Sequence, residues 1–249
     1  MIQDVKINLG AGTDGIEGWI NIDNSPLLHF NRSRALRFLL RIGIRIGLLD
    51  GGEVLLDIPP NYLELNLARL PLPFATDSVA CYYSSHFLEH LPRSIARNLC
   101  ADVYRTLRPK GIFRIVVPDL EFAVNNYLQS KKHQHPPEPN MPDIEIWKSP
   151  CGKLNAYFSK FPSEYRLIVR KRWDMTHKIV RRLLWKDQGH QWMYDFEDMK
   201  ALLLASGFRD IQKVGFRAGR CPDVTRLDIE GRRDESLYVE AIKHNSGSN

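Results

Sequence analysis

The sequence predicts one α/β domain with a mostly parallel sheet and helices on both of its faces. Short alternating or apolar segments typical of strands are separated by segments with a helical period. Strands that alternate with helices favour a parallel sheet, because the crossover between parallel strands usually contains a helix. The apolar content of 43% and the charged content of 26% are those of a globular chain, so one sizeable core can form.

The individual elements follow from hydrophobic period and from the turn residues between them. Strands are predicted at residues 5–9, 19–23, 62–67, 78–83, 112–117, 210–216 and 237–243. Helices are predicted at residues 94–107 and 195–206. The segment 31–50 is expected to be a basic amphipathic helix, or two short ones, because Gly43 and Gly47 interrupt it.

The domain is expected to span residues 1–244, with insertions at about 27–60 and 125–190. The second insertion begins with a stretch rich in proline and histidine and continues with many basic residues, as expected of a loop and a helical lid. Residues 245–249 are expected to be a disordered tail.

Composition bears on location and on partners. No apolar run is long enough for a membrane span, and the N-terminus lacks the features of a signal peptide. The cysteines, Cys81, Cys100, Cys151 and Cys221, form no C-x-x-C pair and are expected to be reduced thiols of a cytoplasmic protein. The net charge of +6 favours anionic partners, either phosphorylated metabolites, nucleic acid or an acidic membrane face.

Polar and small residues recur where the predicted strands end. In parallel α/β sheets, ligands bind beyond the carboxyl ends of the strands, so these residues are candidates for a site. They are Gly10 and Gly12 after the first strand, Asp23 at the second, Asn66 at the third, Ser84, Ser85 and His86 after the fourth, and Asp119 after the fifth.

The pattern Gly10-x-Gly12-x-x-Gly15 matches a dinucleotide-binding fingerprint. In a nicotinamide site, however, the glycines open a full helix and the ribose-binding acid follows about 20 residues later. Asp23 comes too early, and residues 16–19 leave no room for that helix. The pattern is therefore compatible with another adenosine-containing cofactor, or with an ordinary tight turn beside a surface aspartate.

A second pattern, His86-x-x-Glu89-His90, is the inverted signature of zinc proteases. That chemistry needs both histidines on one face of a helix and a third ligand from further along the chain, for which Glu164 is available. Because the motif directly follows a buried strand in an α/β pattern, we expect no metal here. A zinc-dependent hydrolase that uses this motif remains the alternative function.

Taken in order, several segments resemble the class I S-adenosylmethionine-dependent methyltransferases. Among these the sequence is most similar to the type 11 group and to a bacterial branch of predicted methyltransferases. The segments are residues 9–12 (LGAG), 18–23 (GWINID), 70–74 (LPLPF), 84–91 (SSHFLEHL), 107–111 (LRPKG), 189–195 (GHQWMYD), 205–208 (ASGF) and 235–241 (ESLYVEA). The resemblance covers most of the chain outside the two insertions, and it implies a Rossmann-like fold.

The resemblance also implies a set of residues that bind S-adenosylmethionine. The turn formed by Leu9, Gly10, Ala11 and Gly12 would wrap the methionine part, and Asp23 would bind the ribose hydroxyls. Asn66 and Leu67 would hold the adenine, and Ser84, Ser85 and His86 would lie near the sulfonium. Asn8 and Asn66 stand where many members have an acid, and an amide accepts a hydrogen bond without the added strength of a charge. A non-catalytic domain that kept the fold is therefore a further alternative.

For a hydroxyl acceptor, the protein must position the nucleophile and remove its proton. His86 and His190 are the candidate bases, Asp119 would orient or replace the base, and Tyr194 would position the acceptor. His90 is expected to be a structural residue.

Basic residues recur with helical spacing in both insertions, at 34–45 and at 166–182. They are either solvated faces or docking surfaces for a phosphate-bearing acceptor or for the anionic cytoplasmic face of a membrane. The resembling branch implies a sugar, a nucleotide sugar or a cell-surface glycan precursor as the acceptor. Nucleic acid is less favoured, because no RNA-binding module is visible.

Overall fold

The structure is a computed structural model that describes residues 4–46, 61–132 and 189–244, together with residues 55, 58, 150, 151, 154 and 158. Within these residues the strands are β1 (Val5–Leu9), β2 (Ile20–Asp23), β3 (Tyr62–Glu64), β4 (Val79–Ser85), β5 (Leu107–Pro118), β6 (Asp210–Val214) and β7 (Ser236–Ile242). The helices are α1 (Pro26–Arg32), α2 (Arg34–Arg45), α3 (Arg93–Thr106), α4 (Leu120–Lys132), α5 (Phe196–Ala205) and α6 (Val224–Leu227), with 3₁₀ turns at Leu88–His90 and Glu230–Arg232.

The strands form one sheet in the order β3-β2-β1-β4-β5-β7-β6. Neighbours from β3 to β5 pair in parallel, whereas β7 pairs antiparallel with both β5 and β6. Every strand except β7 therefore points the same way, and their carboxyl ends share one edge of the sheet. This topology confirms the predicted fold class, a Rossmann-like, mostly parallel sheet of the class I methyltransferase type.

Apolar layers cover both faces of the sheet. On one face, α3 and α5 pack against each other and bury residues such as Leu99, Val103 and Leu202 over the strands. On the other face, Trp19 and Leu227 of α6 pack over Tyr83 and other side chains of β4, β5 and β7. Helices thus lie on both faces, as predicted, although α6 is short and the layer around it is largely irregular chain.

The apolar layer around Trp19 and α6 contains a fully buried arginine, which lies in the strand that the sequence predicts at residues 112–117. Arg114 of β5 pairs with Asp228 and, at 3.0 Å, with Glu240 Oε1. Its guanidinium also donates to the carbonyl oxygens of Gly215 and Ala218. A buried charge is tolerated only when it is paired and hydrogen-bonded, and both conditions hold here.

Helical structure differs from the prediction in two places. The break in the first basic segment falls at Ser33, between α1 and α2, and not at a glycine; Gly43 lies inside α2. Ser33 ends one helix and caps the next, because its Oγ accepts from the N–H of Leu36 at 3.4 Å. Helix α4 was not predicted. Most of the second insertion and the tail at 245–249 lie outside the described residues.

The described helices include none with the length and apolar character that a bilayer crossing requires. The four cysteines form no disulfide, although Cys81 Sγ and Cys221 Sγ lie 3.4 Å apart in the layer around Trp19. Their separation in the sequence gives no indication of this contact.

Candidate functional site

The strand order reverses between β1 and β4, which lie side by side with Leu9 next to Ser84. The chain leaves β1 towards β2 on one side, whereas β4 and β5 continue the sheet on the other. In open α/β sheets, ligands bind in the crevice at this reversal, beyond the carboxyl ends of the strands. The predicted site residues follow the strands that meet there.

The turn after β1 is joined directly to Asp23 at the end of β2. Asp23 Oδ2 accepts from the N–H of Gly12 at 2.8 Å, and Oδ1 accepts from the N–H of Ser25 at 2.6 Å. Burial raises the pKa of Asp23, and the N–H groups of Gly12, Ser25 and Asn24 oppose that rise. A carboxylate has about four acceptor positions, so Asp23 can still accept a hydrogen bond from a ligand.

The two glycines of this turn have different surroundings, although both have a positive φ, +66° at Gly10 and +53° at Gly12. A Cβ built on Gly10 would clash with the ring of Phe87, whereas one built on Gly12 would have no atom of the described residues within 4 Å. A ligand can therefore approach the backbone at Gly12, and Phe87 covers Gly10. Tyr62 fixes the turn: its hydroxyl donates to the carbonyl of Gly12 at 3.1 Å and accepts from the N–H of Gly15 at 2.9 Å.

The absence of a crossover helix after the glycines was predicted and is confirmed, since residues 10–19 form turns and irregular chain. The other predicted cofactor residues differ in burial and in their hydrogen bonds. Asn8 is buried and donates to Asn21 Oδ1 at 3.2 Å, and Leu9, Ala11 and Leu67 are also buried. Asn66 is exposed, and its Oδ1 accepts from the N–H of Ala68 at 3.0 Å.

At the end of β4, the two serines differ. Ser84 is buried, and its Oγ has no hydrogen-bond partner within the described part of the chain. Ser85 Oγ accepts from Arg232 at 3.0 Å, and Arg232 also lies 3.4 Å from Asp14 beside the glycine turn. Arg232 was not predicted as a site residue, and its position in a polar segment far along the chain gave no signal for it.

His86 has a φ of +50° and continues into a 3₁₀ turn, so the helix that the zinc-protease signature needs is absent at this place. Its Nε2 lies 2.8 Å from Ser236 Oγ, and its Nδ1 lies 3.6 Å from Glu89 Oε1. Burial, together with Arg232, His190 and His90, lowers the pKa of His86 to about 3. A base is most effective when its pKa is near the working pH, which counts against the predicted role of His86.

Glu89, His90 and His190 come together beside His86. One ligating atom from each lies within 4.8 Å of the others, and the two histidine rings are 5.0 Å apart. His190 is brought there by the chain on either side of it, since the N–H groups of Gln191 and Trp192 donate to the carbonyl oxygen of Glu89 at 2.6 and 3.1 Å. Burial raises the pKa of Glu89 to about 8.

The predicted roles of Asp119 and Tyr194 are not supported by their surroundings. Asp119 Oδ1 accepts from the N–H groups of Glu121 and Phe122 and so caps α4, and none of the described histidines is hydrogen-bonded to it. Tyr194 is fully buried in the layer under α3 and α5. Its hydroxyl has no partner among the described residues, and burial raises its pKa.

Of the residues predicted from the sequence, the glycine turn, Asp23, Ser85, His86 and His190 lie at this edge of the sheet. Glu89 and His90 lie there too, and the sequence analysis considered that pair only within the zinc-protease motif. The signal was present, because a buried carboxylate and a histidine lie within a segment that also carries His86.

No protein-family model matches the chain, and no curated protein matches it. Solved structures do match. One is a complex between the Haloferax volcanii Trm112 methyltransferase activator and a candidate methyltransferase, with 11% identity and a TM-score of 0.46, covering 99% of this chain and 85% of that one. Another is a SAM-dependent methyltransferase from Archaeoglobus fulgidus, with 13% identity and a TM-score of 0.43, covering 97% and 87%.

A third is the S-adenosylmethionine-dependent methyltransferase SibL in its apo form, with 11% identity and a TM-score of 0.45. The match covers 98% of this chain and 51% of SibL, so the chain spans about half of that protein. At these identities and scores, the sheet topology and the site geometry, and not the likeness, carry the functional argument.

Proposed function

We propose that this chain is an S-adenosylmethionine-dependent methyltransferase of the type 11-like bacterial branch that its motifs resemble. The observation that carries the proposal is the pairing of Asp23 with the open backbone at Gly12, at the reversal of the strand order. The proposed acceptor is anionic, either a sugar, a nucleotide sugar or a cell-surface glycan precursor.

The residues around Gly12 suit the cofactor in charge and in shape. The acceptor capacity left on Asp23 suits a ribose hydroxyl, and a hydrogen bond to a charged acceptor is stronger than one to a neutral acceptor. With no side chain at Gly12, the methionine part can lie against the backbone. The exposed amide of Asn66 would face the adenine. When bound, S-adenosylmethionine supplies a methyl group that its sulfonium already activates.

The acceptor would bind on the side of β4, where Ser85, His86 and the Glu89, His90 and His190 cluster meet. These side chains can hold an acceptor hydroxyl in line with the methyl group, and His190 is the remaining candidate to receive its proton. Arg232, between Ser85 and Asp14, provides positive charge for an anionic acceptor.

The test is calorimetric titration with S-adenosylmethionine and with S-adenosylhomocysteine. Asp23→Ala removes the charged acceptor, which corresponds to an affinity loss of roughly 10- to 100-fold. Asp210→Ala is the matched control, because Asp210 begins β6 at the opposite edge of the sheet and should leave the affinity unchanged.

Thermal unfolding of both variants shows whether they remain folded. Unchanged affinity in a folded Asp23→Ala protein, or no binding by the wild type, would contradict the proposal.

We also propose that α2 rests on the anionic face of a membrane, which would bring the protein to a lipid-linked acceptor. One side of α2 exposes large apolar side chains, Phe38, Leu39, Ile42 and Ile46. Arg34, Arg41 and Arg45 are exposed beside them at helical spacing. An exposed apolar strip next to a row of cations is the pattern of a helix that lies in a membrane interface. The other basic segment, at 166–182, lies outside the described residues.

Vesicles that contain phosphatidylglycerol test this surface. Arg41→Glu with Arg45→Glu should reduce co-sedimentation, and Phe38→Ser with Ile42→Ser should do so at high salt as well, since apolar burial is not screened. Arg97→Glu, at an exposed position of α3, is the control for charge alone. Equal sedimentation of wild type and variants at low salt would show that α2 is a solvated surface.

A further inference from the structure

Three side chains with metal-ligating atoms meet where the 3₁₀ turn after β4 contacts the segment before α5. They are Glu89, His90 and His190, whose ligand atoms lie within 4.8 Å of one another. His90 Nε2 is 3.8 Å from Glu89 Oε1. Backbone hydrogen bonds hold the two segments together, because the N–H groups of Gln191 and Trp192 both donate to the carbonyl oxygen of Glu89.

Trp192 strengthens this anchor with its side chain. Its indole Nε1 donates to Asp198 Oδ2 at 2.7 Å, and the guanidinium of Arg93 lies 5.1 Å from its ring centre. Asp195 then caps α5 by accepting from the N–H of Asp198. His190 is therefore held next to Glu89 by contacts that do not use its own ring.

Glu89 provides an independent observation that points to a ligand. Its side chain is 0% exposed, and neither carboxylate oxygen has a hydrogen-bond partner in the described part of the chain. Buried carboxylates are nearly always hydrogen-bonded, ion-paired or bound to a metal, because leaving one unsatisfied is costly. One carboxylate oxygen lies within 4.8 Å of a ligating nitrogen of each of the two histidines that form the cluster.

We propose that Glu89, His90 and His190 bind one divalent transition-metal ion, with zinc as the ion that suits them best. Two imidazoles and one carboxylate are a known zinc ligand set, and they leave a fourth position for water or for a substrate oxygen. Magnesium and calcium prefer oxygen ligands alone, so the two imidazoles disfavour them.

The geometry requires little adjustment. Ligand atoms around a tetrahedral zinc ion at about 2.0–2.1 Å lie about 3.4 Å apart, so small side-chain rotations would close the cluster. His86 lies beside the cluster. Its Nδ1 is 3.6 Å from Glu89 Oε1, and its Nε2 is hydrogen-bonded to Ser236 Oγ. The site differs from the zinc-protease pattern, because Glu89 is a ligand in place of His86 and His190 supplies the third ligand; Glu164 lies outside the described residues.

The site lies next to the cofactor crevice, since Phe87, which packs on Gly10, is two residues before Glu89. An acceptor hydroxyl at the open metal position would lose its proton more readily. That role, unlike the metal site itself, rests on the proposed methyl transfer.

Metal binding can be measured without S-adenosylmethionine, so its failure and the failure of the proposed function are distinguishable. Chelator-treated protein is titrated with Zn²⁺ by calorimetry and with Co²⁺ by visible absorption, which reports low-coordinate nitrogen and oxygen ligation. The wild type should bind one ion per chain. His190→Ala and Glu89→Gln should weaken binding by about 100-fold or more, since even outer-shell changes cost 10- to 100-fold.

His29→Ala is the matched control, because His29 Nδ1 also lies near a glutamate, Glu64, at 3.3 Å on the exposed surface. It should bind Zn²⁺ as the wild type does. Circular dichroism of each variant establishes that it is folded. Absence of stoichiometric binding by the wild type, or equal affinity in folded His190→Ala, would overturn the proposal.

Discussion

Two buried carboxylates, Asp228 and Glu89, lie in opposite chemical surroundings. Asp228 accepts from the guanidinium of Arg114, from the hydroxyl of Tyr83 at 3.2 Å and from the N–H of Arg217 at 2.8 Å. Glu89 has no hydrogen-bond partner for either oxygen among the described residues. A buried carboxylate whose hydrogen bonds are satisfied stabilises the fold, whereas one without hydrogen bonds can still bind a ligand. The difference separates a structural centre from the centre that we propose to be functional.

The largest effect is expected at the satisfied centre. Arg114→Met leaves Asp228 and Glu240 buried without their cation, and breaking a buried pair in this way costs about 3–5 kcal/mol of the free energy of unfolding. Urea unfolding followed by circular dichroism measures the loss. A loss below about 1 kcal/mol, which is the size expected of an exposed ion pair, would show that the two carboxylates find other partners.

The glycine turn offers the same contrast between a packed and an open position. Gly10→Ala combines the strain of a positive φ with a clash against Phe87, and we expect a loss of more than about 2 kcal/mol. Gly12→Ala has a similar φ but no neighbour within 4 Å in the described part of the chain, so strain of about 1 kcal/mol is expected, together with weaker S-adenosylmethionine binding. Thermal unfolding and calorimetry of both variants check this, and equal losses of stability would refute the difference.

A smaller effect, with a defined pH dependence, is expected at Glu89 in metal-stripped protein. Burial raises the pKa of Glu89 from 4.5 to about 8, so the folded protein keeps a proton that the unfolded chain releases. This group therefore makes the free energy of unfolding fall as pH rises towards 8. Glu89→Gln should remove that part of the fall.

The comparison is made above pH 6.5. Below it, His86, whose pKa is lowered to about 3, contributes the opposite slope. Parallel unfolding curves for wild type and Glu89→Gln between pH 6.5 and 8.5 would mean that Glu89 does not titrate in this range.

The smallest effect is expected at Asn66. Aspartate at this exposed position keeps the acceptor for the N–H of Ala68 and adds charge toward an adenine amino donor. Asn66→Asp should leave the S-adenosylmethionine dissociation constant unchanged or lower it several-fold. Marked weakening in calorimetry would indicate that the amide donates to the adenine.

The sequence predicted the elements that depend on local pattern. Strand alternation placed β1, β2, β4 and β7 within a few residues, and the short spacing from Gly10 to Asp23 excluded a crossover helix. Contacts between distant segments could not be predicted in this way. Arg232 reaches Ser85 across the sheet edge, and Arg114 is neutralised by residues more than 100 positions away. The position of a helix break also depended on a capping serine, Ser33, more than on glycine.

The candidate site was predicted in part for the same reason. The glycine turn and Asp23 are close in sequence and were found together, whereas Glu89, His90 and His190 come from segments about 100 residues apart. Periodicity assigns residues to a face of one element and gives no information about a partner from another element.

Hydrogen–deuterium exchange of the wild type with and without S-adenosylhomocysteine can show whether the cofactor binds at the glycine turn and Asp23. We expect slower exchange of backbone amides in peptides that cover residues 9–14, 23–25 and 66–68, and no change around Arg114 and Asp228. Saturating NAD⁺ should give no such protection. Absence of protection at the glycine turn and Asp23 with S-adenosylhomocysteine, or equal protection by NAD⁺, would contradict the assignment of this crevice to S-adenosylmethionine.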